Sequence, residues 1–456
     1  MHTLSDAGPS QSHPSQSHAQ PHSPAQPHTI DITFDSKGDR LFGLGLINGL
    51  LKILTLGIYS FWGKTEVRRR IWSFTRLNGE PLEYTGTGKE LFLGFLIVFG
   101  AILLPVLLAG FAVVYAFPGN KSAIASYQAA VYIAFFMLVG NAIYRAQRFR
   151  MSRTRWRGIR GSLEGSPAAY AWAYFWTLVA PFGLVALLSG LVSWATGPRV
   201  GGLIVVLGFI AALWIFPWRA NKLQGLMTNN MRFGDRPFSY TGTSGPLYKR
   251  YFFAWAGSAL IYIGASAAAI AYAYNAGLVE LIQARLPPSG PQILVFFAIG
   301  LLTMVAIGLI TAWYRANQMN HFAQHTHLEG ATFKLQASGK SLMWLLFSNW
   351  LLAVLGLIGG LALGGFLAYS AGLMPTPPQS GAEPVEPGLL PILVIVAPVI
   401  LVTTLATTFA QFRSARYFLS RLKLDGTLNL NAILQSQSTG PKRGEGLAQV
   451  FDLDAF

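Results

Sequence analysis

The sequence predicts an all-α polytopic membrane protein, with about 8–9 transmembrane helices in two-span repeats and small cytoplasmic β-hairpin elements. Three observations carry the prediction. Of the 456 residues, 52% are hydrophobic and only 11% charged, where a soluble domain carries about 25% charged residues. The apolar residues collect in the runs 91–117, 129–144, 170–195, 201–218, 251–274, 293–313, 342–369 and 389–409, and roughly 20 such residues cross the hydrocarbon core. Third, one phrase recurs: an apolar run closes in an aromatic and basic patch, and a glycine follows before the next run. Tyr144-Arg145-Ala146-Gln147, Trp218-Arg219-Ala220-Asn221 and Tyr314-Arg315-Ala316-Asn317 are three copies, followed by Gly161, Gly234 and Gly330. Phe61-Trp62 with Gly79 reads as a first copy, and Gln411-Phe412-Arg413 with Gly426 as a degenerate last one. Repetition at this scale names the unit of architecture.

Residues 1–30 are Ser, Pro, Gln, His and Ala with almost no charge, which predicts a disordered tail. No apolar core follows a basic start, so the tail does not read as a signal peptide. Residues 31–440 form the repeat-built transmembrane domain, and 441–456 a C-terminal tail. Within the domain, 41–62 is a ninth candidate span interrupted by Asn48 and Lys52. Either it crosses, or it is a re-entrant or interfacial helix, and the side of the N-terminus depends on which. Continuous apolar runs without alternation exclude a membrane β-barrel, leaving helices as the spanning elements.

The net charge is +16, and its distribution gives orientation. All but six of the 34 Lys and Arg fall in the blocks after alternate spans or in the C-terminal tail, the exceptions being Lys37, Arg40, Lys52, Lys121, Arg199 and Arg285. This asymmetry predicts that the basic blocks and the C-terminus are cytoplasmic. Anionic phospholipid is the expected partner of such a face, and nucleic acid is not. The absence of cysteine removes disulfides, thiolate metal sites and a cysteine nucleophile.

Each basic block also alternates apolar and polar residues around a turn. Asn78-Gly79 and Asp425-Gly426 are the strongest hairpin signals, because both turn residues need positive φ. The stretches 327–335 and 233–240 are weaker versions, and 160–165, around Gly161, is the weakest. Such hairpins are marginal alone, so they either pack together as a cytoplasmic cap or lie separately on the headgroups.

Asn48-Gly49-Leu50-Leu51, Thr55-Leu56-Gly57-Ile58-Tyr59 with Trp62, Thr75-Arg76-Leu77-Asn78-Gly79 and Tyr84-Thr85-Gly86-Thr87-Gly88-Lys89-Glu90-Leu91 together resemble the YjgN-like family of bacterial inner-membrane proteins. Thr154-Arg155-Trp156-Arg157-Gly158-Ile159-Arg160-Gly161 and Arg443-Gly444-Glu445-Gly446 fit the same resemblance, which covers about residues 32–456. The family is a domain of unknown function, so the resemblance implies a fold and a location but no reaction and no site. Asn349-Trp350-Leu351-Leu352 echoes the Asn48 motif without the Thr-Leu-Gly-Ile-Tyr that should follow.

The candidate chemistry is sparse. Tyr84-Thr85-Gly86-Thr87-Gly88-Lys89 invites a phosphate-loop reading but lacks the first Gly and puts Glu90 where Ser or Thr would hold Mg²⁺. Its backbone retains the potential to meet a lipid phosphate at a helix N-terminus. His321 and His325, with His327, have helical metal spacing but lack further ligands. No catalytic constellation appears, so an enzyme is not expected, nor a cofactor or metal. Gln147, Asn221 and Asn317 lie at one membrane depth and, with Asn48 and Lys52, either pin helices or line a cavity. Tyr144, Arg145, Trp218, Arg219, Tyr314 and Arg315 suit headgroup anchors. Gly356, Gly360 and Gly364 line one helix face and suit close packing, within the chain or in a homo-oligomer. Two functions fit: transport or lipid handling, and a non-transporting scaffold or regulator whose basic face binds lipid or a partner.

Overall fold

The computed structural model describes residues 28–35, 41–284, 286–373, 388–428, 432–435 and 441. Its helices are α1 (Leu41–Leu54), α2 (Ser60–Phe74), α3 (Gly88–Val98), α4 (Leu104–Ala116), α5 (Lys121–Arg153), α6 (Pro167–Thr196), α7 (Pro198–Ala212), α8 (Ile215–Thr228), α9 (Gly245–Asn275), α10 (Leu278–Gln283), α11 (Gly290–Gln324), α12 (Gly339–Ser370) and α13 (Leu389–Leu419). The strands are β1 (His28–Ile30), β2 (Ile32–Phe34), β3 (Thr75–Leu77), β4 (Glu80–Pro81), β5 (Glu83–Tyr84), β6 (Thr154–Trp156), β7 (Ile159–Leu163), β8 (Met231–Phe233), β9 (Arg236–Tyr240), β10 (Thr326–Leu328), β11 (Gly330–Leu335) and β12 (Leu422–Leu428). Residues 1–27 and 442–456, where the tails were expected, lie outside the described residues, and the first strand begins at His28.

Among the described residues, eight helical stretches are long and apolar enough to cross a membrane, one for each of the eight predicted runs. Most extend past the apolar run into the basic block, because the same helix continues out of the membrane. α3 and α4 form one span joined by a π turn at Phe99–Leu103, next to Pro105, which lacks the N–H a regular turn would use. Between 0% and 22% of each span's most apolar window is buried inside the protein. The spans therefore make a single-layer palisade touching along narrow seams, in the order α3–α4, α5, α6, α7–α8, α9, α11, α12, α13, with the shorter α1 against α13.

The tightest seam joins α12 to α13. A Cβ on Gly360 would lie 2.7 Å from Val399 Cα, and one on Gly364 2.5 Å from the Ile395 carbonyl oxygen. Gly356, Gly360 and Gly364 are all buried, so the glycine stripe serves packing between these two helices of one chain.

The strands join in one structure. A nine-stranded antiparallel sheet runs β1-β12-β11-β10-β9-β8-β7-β6-β5, and a three-stranded sheet runs β2-β3-β4. Only Asp31 separates β1 from β2, and only Leu82 separates β4 from β5. The breaks are bridged: Asn78 N–H donates to Asp31 O (2.9 Å), and Leu82 N–H donates to Thr75 O (2.8 Å). The ladder thus closes on itself as a barrel, which removes the exposed edges an open sheet would carry. Its interior is a packed apolar core of Ile30, Leu328, Ala331, Leu424 and Leu428, flanked by Leu77, Phe233 and Phe238. Ile433 joins this core, as Leu434 N–H donates to Asp235 Oδ1 (3.0 Å) across the turn rim. The hairpins of the sequence therefore share one cap rather than lying separately.

Topology sets the orientation of everything else. Adjacent antiparallel strands β5/β6, β7/β8, β9/β10 and β11/β12 are joined by pairs of spans, so all four pairs stand on one rim. Tight turns close the opposite rim. β2 and β3 are likewise antiparallel neighbours, so α1 and α2, which connect them, leave and return on the same rim. α1 has 14 residues, about 21 Å of helix, short of the ~30 Å core. It inserts beside α13, with Gly45 against Leu405 and Gly49 against Leu401, and turns back at Leu56 and Gly57, both of positive φ. Residues 41–62 are thus a re-entrant element, and β1 and β2 lie on the same side as every other strand.

Two turn assignments are corrected. Asp425-Gly426 is no turn: β12 runs straight through it, paired with β11 from Leu422 to Thr427, and a Cβ on Gly426 would lie 2.3 Å from Gly330 O. On its other edge β12 pairs antiparallel with β1, from the opposite end of the chain. The second hairpin turns at Arg157-Gly158, with φ 52° and 74°, while Gly161 lies inside β7. Asn78-Gly79 turns as expected, with φ 51° and 81°.

Candidate functional site at the barrel rim

Three helices descend side by side onto the rim: α13, α2 and α5. Each presents one stripe of residues at helical spacing to a shared cavity of about 490 Å³. From α2 come Lys64, Val67, Arg68, Ile71 and Trp72. α5 and the start of β6 give Gln147, Arg150, Met151 and Thr154, and α13 gives Gln411, Ala415, Phe418 and Leu419.

The walls are fixed from below and behind. Arg68, 8% exposed, donates from Nη1 to Tyr84 Oη at 3.3 Å. Trp72 Nε1 donates to Thr154 Oγ1 at 2.9 Å, and its ring lies 5.5 Å from that of Tyr84. These contacts lock α2 onto β5 and β6. Val67 and Ile71 pack on Phe412 and Ala415, locking α2 onto α13. Arg153, one turn below Arg150, is held by an ion pair to Glu90 and donates to Pro441 O at 3.3 Å.

Among the described residues the lining holds three cations (Lys64, Arg68, Arg150), two amides (Gln147, Gln411) and otherwise mostly apolar side chains. Such a site suits an anionic group carried on an apolar body. Amides add neutral donors and acceptors that fix orientation.

Of the three amides expected at one depth, Gln147 lines this cavity and the other two are engaged elsewhere. Asn221 accepts from Tyr240 Oη (2.6 Å) and donates to Gly242 O (3.0 Å), and burial pushes the Tyr240 phenol up to about 12. Asn317 donates to Trp313 O of its own helix at 2.8 Å. Asn48 is buried beside Gly63, and Lys52 ends α1 near the re-entrant turn.

The candidate anchors divide into two groups. Arg145, Arg315 and Trp218 are exposed, and Trp218 carries Lys222 over its ring at 5.0 Å. Tyr144 and Tyr314 are buried within the protein, Tyr144 donating to Glu164 O and Tyr314 packing 5.4 Å from Tyr251. Arg219 lies over the Tyr174 ring at 4.3 Å.

At the start of α3, Thr87 and Glu90 form a capping box, so the protein's own carboxylate takes the place a phosphate would need. His321 contacts Thr243 O, His325 contacts His321 O, and His327 contacts Thr241 and Thr332. Among the described residues no group of three donors could hold a metal.

Sequence reasoning missed Lys64, Arg68, Arg150 and Gln411 as cavity residues. The available signal was the basic and amide content of equivalent descending helices; what it lacked was the knowledge that α13 and α5 flank α2.

The fold and cavity define a multi-pass membrane protein whose helical hairpins stand on the rim of a small closed β-barrel. Residues 29–450 match a family described as bacterial protein of unknown function (DUF898), and the chain belongs to that family. It is similar to inner membrane protein YjgN of Salmonella typhimurium strain LT2, 29% identical over 219 residues, covering 46% of this chain and 52% of the relative. It is also similar to inner membrane protein YjgN of Escherichia coli K12, 33% identical over 78 residues, 16% of this chain and 20% of the relative. The chain thus spans about half the length of the first and a fifth of the second. No solved structure matches it. The relatives and the apolar spans agree on an inner-membrane, multi-pass protein.

Proposed function

We propose that this protein handles lipid: it holds the headgroup of an anionic phospholipid of the cytoplasmic leaflet in the cavity between α2, α5 and α13. The observation that carries the reading is the lining, which among the described residues combines three cations and two amides with mostly apolar side chains. Orientation supports it. The basic blocks border the barrel side, and a basic face belongs to the cytoplasm, where anionic lipid is concentrated. The C-terminal strand, in the same barrel, is then cytoplasmic too. The test is a titration of the purified protein, in neutral detergent, with fluorescent phosphatidylglycerol and with its phosphatidylcholine counterpart. Phosphatidylglycerol is expected to bind preferentially, and the triple variant Lys64→Gln, Gln147→Leu, Gln411→Leu to weaken that binding by about tenfold, as loss of roughly 1.4 kcal/mol implies. Equal affinity for both lipids, or no change in the variant, overturns it.

A second reading, the scaffold, is favoured by the barrel itself. Its lumen is a packed core and its strands are tied by ion pairs between neighbouring hairpins, which makes a rigid platform for a cytoplasmic partner. A partner that co-purifies equally well with the triple variant would favour this reading.

A further inference from the structure

Among the described residues the palisade has one gap. Four pairs of spans stand on the rim, and the fifth place, between α4 and α13, is taken by the re-entrant α1–α2. Among the described residues α4 packs on α5, while α13 packs on α12 and α1, and no substantial contact joins α4 to α13. Above the α1 tip, the half of the bilayer away from the barrel therefore has no span from the described residues at that position. The tip itself is bare and apolar: Leu54, Leu56 and Ile58 are 78%, 86% and 50% exposed. Beyond it the chain re-enters α2 at Ser60, one turn before Lys64 of the cavity. Phe61 and Trp62 bridge to Phe92 of α3 at 5.4 and 5.8 Å, which walls the approach on one side.

We infer that this notch is the lateral doorway of the site: the acyl chains of the phospholipid lie over the Leu54–Ile58 tip, between α4 and α13, while its headgroup reaches the cavity past Lys64. The inference rests on the lipid-handling reading and adds the route and the part of the ligand that the cavity does not hold. The occupant is set by charge and polarity together. The notch is apolar and lies at membrane depth, and the basic side chains Lys64, Arg68 and Arg150 line the cavity that begins one turn away. An anionic amphiphile anchored in the bilayer matches both, whereas a soluble anion matches only the second.

The test places a photo-crosslinking amino acid at Leu56 in the full chain, reconstituted in vesicles of phosphatidylglycerol in a phosphatidylethanolamine background. A control probe replaces Leu302, which is 70% exposed on α11. Bulk lipid reaches both positions, so the readout is the ratio of captured phosphatidylglycerol to phosphatidylethanolamine. The expected result is a ratio at Leu56 several-fold above that at Leu302, falling to the Leu302 level when Lys64→Gln, Gln147→Leu and Gln411→Leu are combined with the probe. Equal ratios at the two positions, with preferential phosphatidylglycerol binding intact in the detergent titration, overturn the doorway and leave the cavity reading standing. Equal ratios together with no preference in that titration overturn both.

Discussion

Arg157 and Glu80 form a two-pronged ion pair between the first and second hairpins: Nε lies 2.6 Å from Oε2, and Nη2 lies 3.0 Å from Oε1. Comparable pairs tie the other hairpins, Arg232 to Glu164 (2.8 Å), Arg236 to Glu329 (2.9 Å) and Lys334 to Asp425 (2.9 Å). The hydrogen bonds from Arg157 hold the Glu80 carboxyl below its usual range. A depressed folded value means stability present above the unfolded carboxylate value and lost as pH falls through the folded one. Glu80→Gln is therefore expected to melt below the wild type at neutral pH, with the gap closing as the pH is lowered through the acid range. Thermal unfolding in detergent across pH checks this. A gap independent of pH would show that Glu80 acts through packing alone.

The α12–α13 seam allows a contrast within one helix. Gly360→Val places atoms against Val399 Cα and is expected to cost about 1–3 kcal/mol or more, as overpacking does. Gly359→Val, where a Cβ meets nothing within 4 Å, is expected to be nearly neutral. Melting of the two variants by size-exclusion fluorescence separates them.

Asn221 and Tyr240 should act as a unit. Tyr240→Phe and Asn221→Leu are each expected to destabilise by about 1 kcal/mol, with a double variant less destabilised than the sum because one bond is lost in all three. The phenol sits at about 12, above its unfolded value of about 10. Its contribution is therefore whole below pH 10 and declines as pH rises from there towards 12, a decline that Tyr240→Phe should lack in alkaline melts.

The absence of native cysteine makes topology directly measurable. Single cysteines at Asn78 and Asp235, on the turn rim, are expected to react with an impermeant maleimide only after the cytoplasmic side is opened. One at Asn120, between α4 and α5, should react in intact cells. Labelling of Asn78 in intact cells would reverse the orientation.

The spans were legible because a bilayer asks for a length of apolar chain that composition alone reveals, and Asn78-Gly79 was legible because its residue types fit positive φ. Barrel closure was not, since β1 is three residues long and its partner β12 lies at the far end of the chain. Arg157 gave no turn signal because arginine rarely adopts the positive φ it holds there, with its guanidinium 5.0 Å above Trp156. Asp425-Gly426 misled for the opposite reason: Gly426 is there for close approach to Gly330 rather than for a turn. The cavity was half legible. Gln147 stood out by its copy in a repeated phrase, but Lys64 and Gln411 become its neighbours only once the re-entrant α1–α2 brings α2 between α13 and α5.

The central claim is that the cavity holds an anionic phospholipid, and native mass spectrometry of the protein released gently from its own membrane tests it most directly. The account predicts one anionic phospholipid bound per chain, lost in the Lys64→Gln, Gln147→Leu, Gln411→Leu variant while that variant keeps its melting temperature. A bare chain mass from the wild type, or a bound lipid that the variant retains, would contradict it.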